Sequence, residues 1–337
     1  MTEVKKRLDD KLLYDSDGFR MSTPPIIAEY KAERLKADSI ADLGAGIGIQ
    51  SLSFALVSKR VVVVENDSER IEVCRKNAET MGLTNIEFIA ANALDKSTVE
   101  LIGDVEVVHS DPSRQRSADR WSFSDLSPNP FEILKLYKSD NVSFDLPVSM
   151  SPNIIPSTWE LEYISLQGEL KRLSVYLGGA KRFERSAITL PSKTRVVGDK
   201  DLSRKVEIVD RPSKWIYDLD GSLSNSDLVP EYLRENDRLS LLHHDRQKTL
   251  LTSDKLIESP FLVKSYSLLE SARSIQELRM RLLDLNAKSV FIRYSVDPSQ
   301  YYEMRRLLEK DLRGEKQIFV FKIKDIFYLA GRVEKIK

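Results

Sequence analysis

The chain has only one cysteine, Cys74, and three histidines in 337 residues. A single thiol excludes an internal disulfide and any cysteine-ligated metal cluster, and it fits a reducing compartment. Also missing is any run near the roughly 18 consecutive apolar residues that a membrane span requires. The opening MTEVKKRLDDKLLYD is too charged for a secretory leader. These absences predict a cytoplasmic protein with no membrane anchor and no bound metal. The chain lacks an excess of either charge, since 52 basic residues offset 52 acidic ones. Internal repeats and low-complexity tracts are absent as well. What remains, 41% hydrophobic and 31% charged residues, is an ordinary globular composition at a length that predicts two domains.

The balanced total hides a gradient. Residues 1–150 carry 19 Lys and Arg against 25 Asp and Glu, residues 151–270 carry 18 of each, and residues 271–337 carry 15 against 9. Net charge therefore runs from −6 through 0 to +6. A basic end beside an acidic half could position a nucleic-acid backbone. A solvated helix face would give the same count.

From Asp38 onward, short apolar runs alternate with longer amphipathic ones, the pattern of strands joined by crossover helices in a parallel sheet. Strands are predicted at 39–44, 60–65, 86–92 and 104–111, with a fifth within Leu146–Ser151. Helices are predicted over 47–58 and 68–81, the second capped by Asp67 or Ser68 and ended by Gly82. Residues 159–178 alternate around Gln167-Gly168 as a β-hairpin. An antiparallel hairpin closing a parallel sheet predicts a doubly wound, Rossmann-like α/β domain of seven strands over 38–195. Residues 1–37 read as a largely helical segment broken at STPP, 22–25, by two prolines. The polar stretch 191–205 reads as a domain junction, and 206–337 as a smaller α/β or α+β domain.

The strongest chemical signal is Asp42-Leu-Gly44-Ala-Gly46-Ile-Gly48, where a strand runs into a helix. Glycines there let the backbone turn sharply and approach a ligand, and the helix start offers unpaired N–H groups. Dinucleotide domains use a related loop, but their spacing requires a third glycine where this chain has Ile49. The strand also ends in an acid, Asp42, which suits a ligand carrying an amino group. A nicotinamide oxidoreductase is thereby disfavoured. Glu65 closes the second strand where an acid can accept bonds from both hydroxyls of a ribose; a solvated strand end is the plain alternative. Asn92, after the third strand, could satisfy an adenine edge or merely close a turn. The fourth strand leads into His109-Ser110-Asp111-Pro112-Ser113-Arg114, at the sheet edge where open α/β folds bind ligands.

In that order, DLGAGIG, VVVVEND, AANAL and DPSR resemble the class I S-adenosylmethionine-dependent methyltransferases over about residues 20–180. MSTPPIIAEYKAERL, DPSRQR, SPNPFEIL, SMSPNI and the hairpin ELEYISLQGELKRLSVYLGG are similar, more narrowly, to methyltransferases with a carboxy-terminal THUMP-like domain. YDLDGSLSNSDLV and LLTSDKLIESPFLVKSY extend that resemblance, more loosely, into 206–337. It implies S-adenosylmethionine as cofactor, with Gly44, Gly46 and Gly48 around its methionine part and Asp42 beneath its amino group. Glu65 and Asn66 would lie at the ribose, Asn92 and Ala93 at the adenine, and Thr23, after Ser22, near the carboxylate. Asp111 would face the methyl group and receive the nucleophile, with Arg114 beside it.

The sequence departs from neighbouring groups in ways that bear on substrate. Enzymes that methylate base amines carry an aromatic after Asp/Asn-Pro-Pro to stack a flipped base, whereas Ser113 and Arg114 stand here. Trp121 and Phe123 could supply a stacking face or simply anchor the loop. Pyrimidine-carbon methylation needs a cysteine nucleophile near the site, but Cys74 falls in the second crossover helix and reads as a small buried hydrophobe. His109, His243 and His244 read as loop or core residues. Arg114 and Arg116 could clamp a phosphate or a carboxylate or pair with Asp119 or Asp125. RNA is the expected substrate and partner, with a protein side chain as the alternative and a non-catalytic cofactor-binding module as the third reading.

Overall fold

Proline placement sets the first boundary in the computed structural model, which describes residues 12–14, 16–114, 121–199, 206–245 and 248–333. Helix α1 (Ser16–Met21) stops before STPP, and α2 (Pro25–Arg34) starts on Pro25 with Pro24 as its cap. A missing N–H costs nothing at a helix start, so the two prolines separate the helices without breaking either. Alternation then follows: β1 (Ser39–Leu43), α3 (Ile49–Ala55), β2 (Arg60–Glu65), α4 (Ser68–Thr80), β3 (Ile86–Ala90), α5 (Lys96–Ile102) and β4 (Val107–Ser110). Asp67 caps α4 by accepting from the N–H groups of Glu69 and Arg70, at 2.9 and 3.3 Å. A two-residue pair, β5 (Ser113–Arg114) and β6 (Leu126–Ser127), precedes α6 (Pro130–Leu136) and β7 (Asn141–Leu146).

The antiparallel part comprises β8 (Glu160–Leu166), β9 (Glu169–Gly178), β10 (Arg185–Leu190) and β11 (Thr194–Gly198). The hairpin turns at Gln167 and Gly168, both at positive φ, as a two-residue turn matched to strand twist requires. The sheet order is β11-β10-β8-β9-β7-β4-β1-β2-β3. Valines 61 to 64 are all fully buried, with Val62 and Val64 in one core and Val61 and Val63 in the other. Such a strand is covered on both faces.

Three expectations are corrected. The sheet has nine strands, not seven, because β10 and β11 extend its edge. The fifth parallel strand spans Asn141–Leu146 rather than lying within 146–151, since Pro147 cannot donate to a ladder. Residues 194–198, read as part of a polar junction, form β11, whose polar neighbours conceal the short apolar centre Val196-Val197.

The added edge is fastened to α2 by buried charge. Glu162 is fully buried and accepts from Tyr30 Oη at 2.8 and 2.9 Å, Tyr176 Oη at 3.0 Å and Arg195 Nη1 at 2.5 Å. Arg195 also bonds the Tyr30 hydroxyl. Arg34 reaches Glu160 at 2.9 Å and stacks over the Tyr176 ring.

The chain divides into two compact units, Met1–Lys200 and Asp201–Lys337. The second contains β12 (Trp215–Leu219), α7 (Gly221–Asn225), α8 (Val229–Glu235), β13 (Ser240–His244), β14 (Thr249–Ser253) and β15 (Leu262–Ala272). These are followed by α9 (Ile275–Asp284), β16 (Ala287–Ile292), α10 (Tyr301–Glu309), β17 (Lys316–Ile323) and β18 (Ile326–Val333). Its seven strands run β13-β14-β12-β15-β18-β17-β16, and only β16 and β17 pair in parallel. This is the α+β alternative. Leu278, Leu282 and Leu308 of α9 and α10 cover one face with Val290 and Val320. The other face carries Leu242, Tyr266, Phe319 and Phe321. Among the described residues, no helix is long and apolar enough to cross a membrane.

Candidate active site

Strand order reverses between β1 and β4, and the carboxyl ends of strands at such a reversal flank an open crevice. Asp42 is the penultimate residue of β1 and Asp111 follows β4, so the two acids stand on either side of it. Between β1 and α3 the chain turns through Gly44, Gly46 and Gly48 at φ +76°, +59° and +84°. A side chain is strained at each. Gly48 has a second reason to be glycine, because an added Cβ would lie 2.0 Å from Cys74 Sγ of α4. A Cβ on Gly46 would meet nothing within 4 Å, leaving that turn open.

Glu65 braces this loop. One carboxylate oxygen accepts from Gly46 N at 2.8 Å, and the other from the N–H groups of Asn66 and Asp67 at 3.0 and 3.2 Å. Asp42 is buried and accepts from Ser51 Oγ of α3 at 2.5 Å. Burial pushes its carboxyl up to about 7, against the lowering influence of Ser51 and Lys31. A buried acid held so far above its ordinary value lacks enough positive charge around it. That deficit fits a ligand that brings an ammonium.

Under Asp111 lies a polar group that sequence reasoning missed. Lys31 of α2 is fully buried and donates to Asp145 at 2.6 Å, with its Nζ 3.2 Å from His109 Nε2. Ser174 of β9 donates to the other Asp145 oxygen at 2.6 Å. Arg172 of β9 lies 3.5 Å from Asp145 and 3.7 Å from Asp111, and it donates to Thr23 Oγ1 at 3.3 Å. Burial alone would raise Asp145, but Lys31, and after it Arg172, outweigh it and hold the carboxyl at about 2. Burial, then Lys31, depress the His109 imidazole to about 3. His109 is therefore neutral, and it is closed off against Phe54. Asp111 shifts the opposite way: burial of its carboxyl raises it despite Arg172. Its side chain is 36% accessible against 16% for Arg172, so Asp111 is the member most open to solvent.

The other expected residues are placed as follows. Thr23 is buried against Arg172, as described. Asn66 is exposed. Asn92 is exposed and closes its own turn, its Oδ1 accepting from Leu94 N at 3.0 Å. Ala93 is buried, and its carbonyl accepts from Tyr137 Oη at 2.7 Å. Arg114 is exposed on β5 with its guanidinium 5.9 Å from the Trp121 ring centre; the cation paired with Asp111 is Arg172. Phe123 packs edge-on against Phe131 and Trp159 and anchors the loop. Asp125 accepts from the backbone N–H of the cap residue Ser122 at 2.8 Å, while Arg116 and Asp119 lie outside the described residues. In the second unit His243 meets Asp245 and His244 meets Thr249. Among the described residues no group of three or more His, Cys, Asp or Glu is placed to hold a metal ion.

Residues 25–112, which hold α2, the glycine loop, Glu65, Asn92 and Asp111, match the Methyltransferase small domain family. The segment is a methyltransferase domain. The buried acid and the open glycine turn fit a ligand such as S-adenosylmethionine, a sulfonium amino acid. Over 111 residues the chain is 34% identical to the 23S rRNA (uracil(1939)-C(5))-methyltransferase RlmD of Marinomonas sp. (strain MWYL1). That stretch is 32% of this chain and 24% of the relative, so the methyltransferase domain is shared and most of the relative is not. A solved structure from Porphyromonas gingivalis W83, provisionally assigned as a methyltransferase, superposes with TM-score 0.72 at 18% identity. The superposition covers 95% of this chain and 83% of that one, a likeness of fold.

Proposed function

We propose that the chain as a whole transfers a methyl group from S-adenosylmethionine to a heteroatom of RNA, and that 206–337 is a THUMP-like unit recruiting the substrate. The observation that carries this reading is Asp111, a raised and accessible carboxylate on the far side of the crevice from the cation-seeking Asp42. The bound cofactor supplies an electrophilic methyl on a sulfonium centre. Asp42 would receive its ammonium, Glu65 its ribose hydroxyls, and Thr23 with Arg172 its carboxylate. Asn66, Asn92 and Ala93 would line the nucleoside end.

Asp111 would accept the hydrogen bond, and then the proton, of an incoming hydroxyl or N–H. Burial raises its proton affinity, with Arg172 opposing the shift, which makes it a stronger proton acceptor than an ordinary aspartate. Lys31 and Asp145 position Arg172 from below, and Arg114 stands exposed at the crevice to meet substrate phosphate. Methylation of a pyrimidine carbon, the chemistry named for the RlmD relative, has no nucleophile here. Cys74 is fully buried behind Gly48, and burial pushes its thiol up to about 12.

Support for RNA comes from the relative's rRNA substrate and from the basic residues 271–337. Incubating the full chain and labelled cofactor with RNA and, separately, with protein from cells lacking the gene tests the reading. Label that survives protease and not ribonuclease is expected. Label confined to protein would transfer the proposal to a side-chain substrate, and cofactor uptake without label on either would leave a binding module.

A further inference from the structure

The strand order of the second unit places β14 and β16 five steps apart, about 24 Å if the sheet were flat. Yet Lys248, just before β14, donates to the carbonyl of Arg293, just after β16, at 2.9 Å. Lys248 also stands 4.9 Å from the Phe321 ring centre of β17. The sheet is therefore curled, and one end of it forms a mouth lined by the last residues of some strands and the first of others. Register brings the remaining residues there: Asp218 of β12 pairs with Lys264 of β15, and Tyr266 pairs with Arg332 of β18.

Charge in this mouth is unequal. Asp218 is buried and accepts from Arg293 at 2.6 Å and from Tyr266 Oη at 3.0 Å, both on one oxygen. One guanidinium suffices to neutralise it. Lys248, Lys264 and Arg332 are surplus, and neither Lys264 nor Arg332 has an ion pair among the described residues. Asp245 accepts from the Lys248 backbone N–H at 2.7 Å and meets His243 at 2.8 Å, and its influence on the Lys248 ammonium is smaller than that of Asp218. Burial, then the neighbouring cations, pull the Lys248 ammonium down to about 8, and Lys264 shifts in the same direction. Buried Arg293 Nε has no hydrogen-bond partner, and neither has Asp218 Oδ1. Cations crowded in a half-buried mouth, with a donor left over, are stabilised by an oxyanion that accepts from several at once.

We propose that this mouth binds a phosphate group through Lys248, Lys264, Arg293 and Arg332. The phosphate belongs either to an RNA backbone or to a free phosphate or mononucleotide. The site stands on the geometry of the second unit alone and rests on the RNA reading only for the first of those sources.

The test uses the full chain without cofactor, so failure of methylation leaves it unaffected. The variants are Lys264→Met with Arg332→Gln, and, as a charge-keeping control, Lys264→Arg with Arg332→Lys. A labelled single-stranded 12-mer RNA is titrated by anisotropy across salt concentrations, and thermal unfolding is followed in inorganic phosphate against chloride at matched ionic strength. For an RNA source, the neutral pair weakens binding at least about tenfold and flattens the log–log salt slope by about 1.4, or 0.7 per lost contact. For a free-phosphate source, phosphate raises the wild-type melting point, the neutral pair abolishes that rise, and RNA binding is unchanged. Wild-type binding of neither probe, equal behaviour of neutral pair and wild type, or equal loss in the charge-keeping pair each overturns the proposal.

Discussion

Two groups of buried charges share helix α2, and they are completed in opposite ways. Around Glu162, the hydroxyls of Tyr30 and Tyr176 and the guanidinium of Arg195 close over a carboxylate with no exposure. Around Asp145, Lys31, Ser174 and Arg172 form a group that reaches solvent chiefly at Asp111. Tyr30 and Lys31 are neighbours in sequence, so a single helix turn serves both. The closed group fastens the helix to the added sheet edge, and the open one aims charge into the crevice. Burial thus says little about role until one asks whether the network ends inside the protein or at its surface.

Four changes break or sharpen that contrast. Asp111→Asn has the largest expected effect, a loss of about 10²–10⁴ in turnover with cofactor affinity by calorimetry kept within a few-fold. A matching collapse of affinity would show that Asp111 holds cofactor rather than substrate. Glu162→Ala strands Arg195 and should lower unfolding free energy by about 3–5 kcal/mol in urea. If it also weakened cofactor binding more than Asp42→Ala does, the two groups would be one.

Asp42 supplies the third change, through pH. Its carboxyl is raised to about 7, so it loses charge as pH falls through 7 and a cationic ligand loses its partner. Cofactor affinity should fall toward about tenfold per pH unit below 7, and Asp42→Asn should bind weakly with no such slope. A wild-type profile flat from pH 8 to 6 would contradict the pairing. Smallest is Asn92→Ala, expected to cost under about 1 kcal/mol because the amide oxygen is already used within its own turn. A tenfold loss would place that amide on the cofactor instead.

Much of this was legible in the residues. The glycine loop, the acid ending β1, the Asp67 cap and the Gln167-Gly168 turn all follow from local rules, and each is found where spacing predicts. Asp145 carries the same signature as Asp42, an acid at the end of an apolar strand in NVSFDLP. It was missed because the strand was expected several residues later, beyond Pro147. Lys31 and Arg172 gave no signal, since a lysine in a helix and an arginine in a hairpin ordinarily face water. Only the sheet order brings α2, β7 and β9 together, and that order is a long-range property. The strand β11 was hidden for the same reason, its pairing with β10 outweighing a polar local sequence.

The packing of Gly48 on Cys74 gives the molecule a built-in reporter. Because the chain has a single sulfhydryl and it is sealed behind the glycine turn, a thiol-modifying reagent can score only once per molecule, when that seal parts. The rate of labelling in native buffer should therefore follow the parting of the glycine turn from α4, and a ligand that clamps the turn should slow that clock.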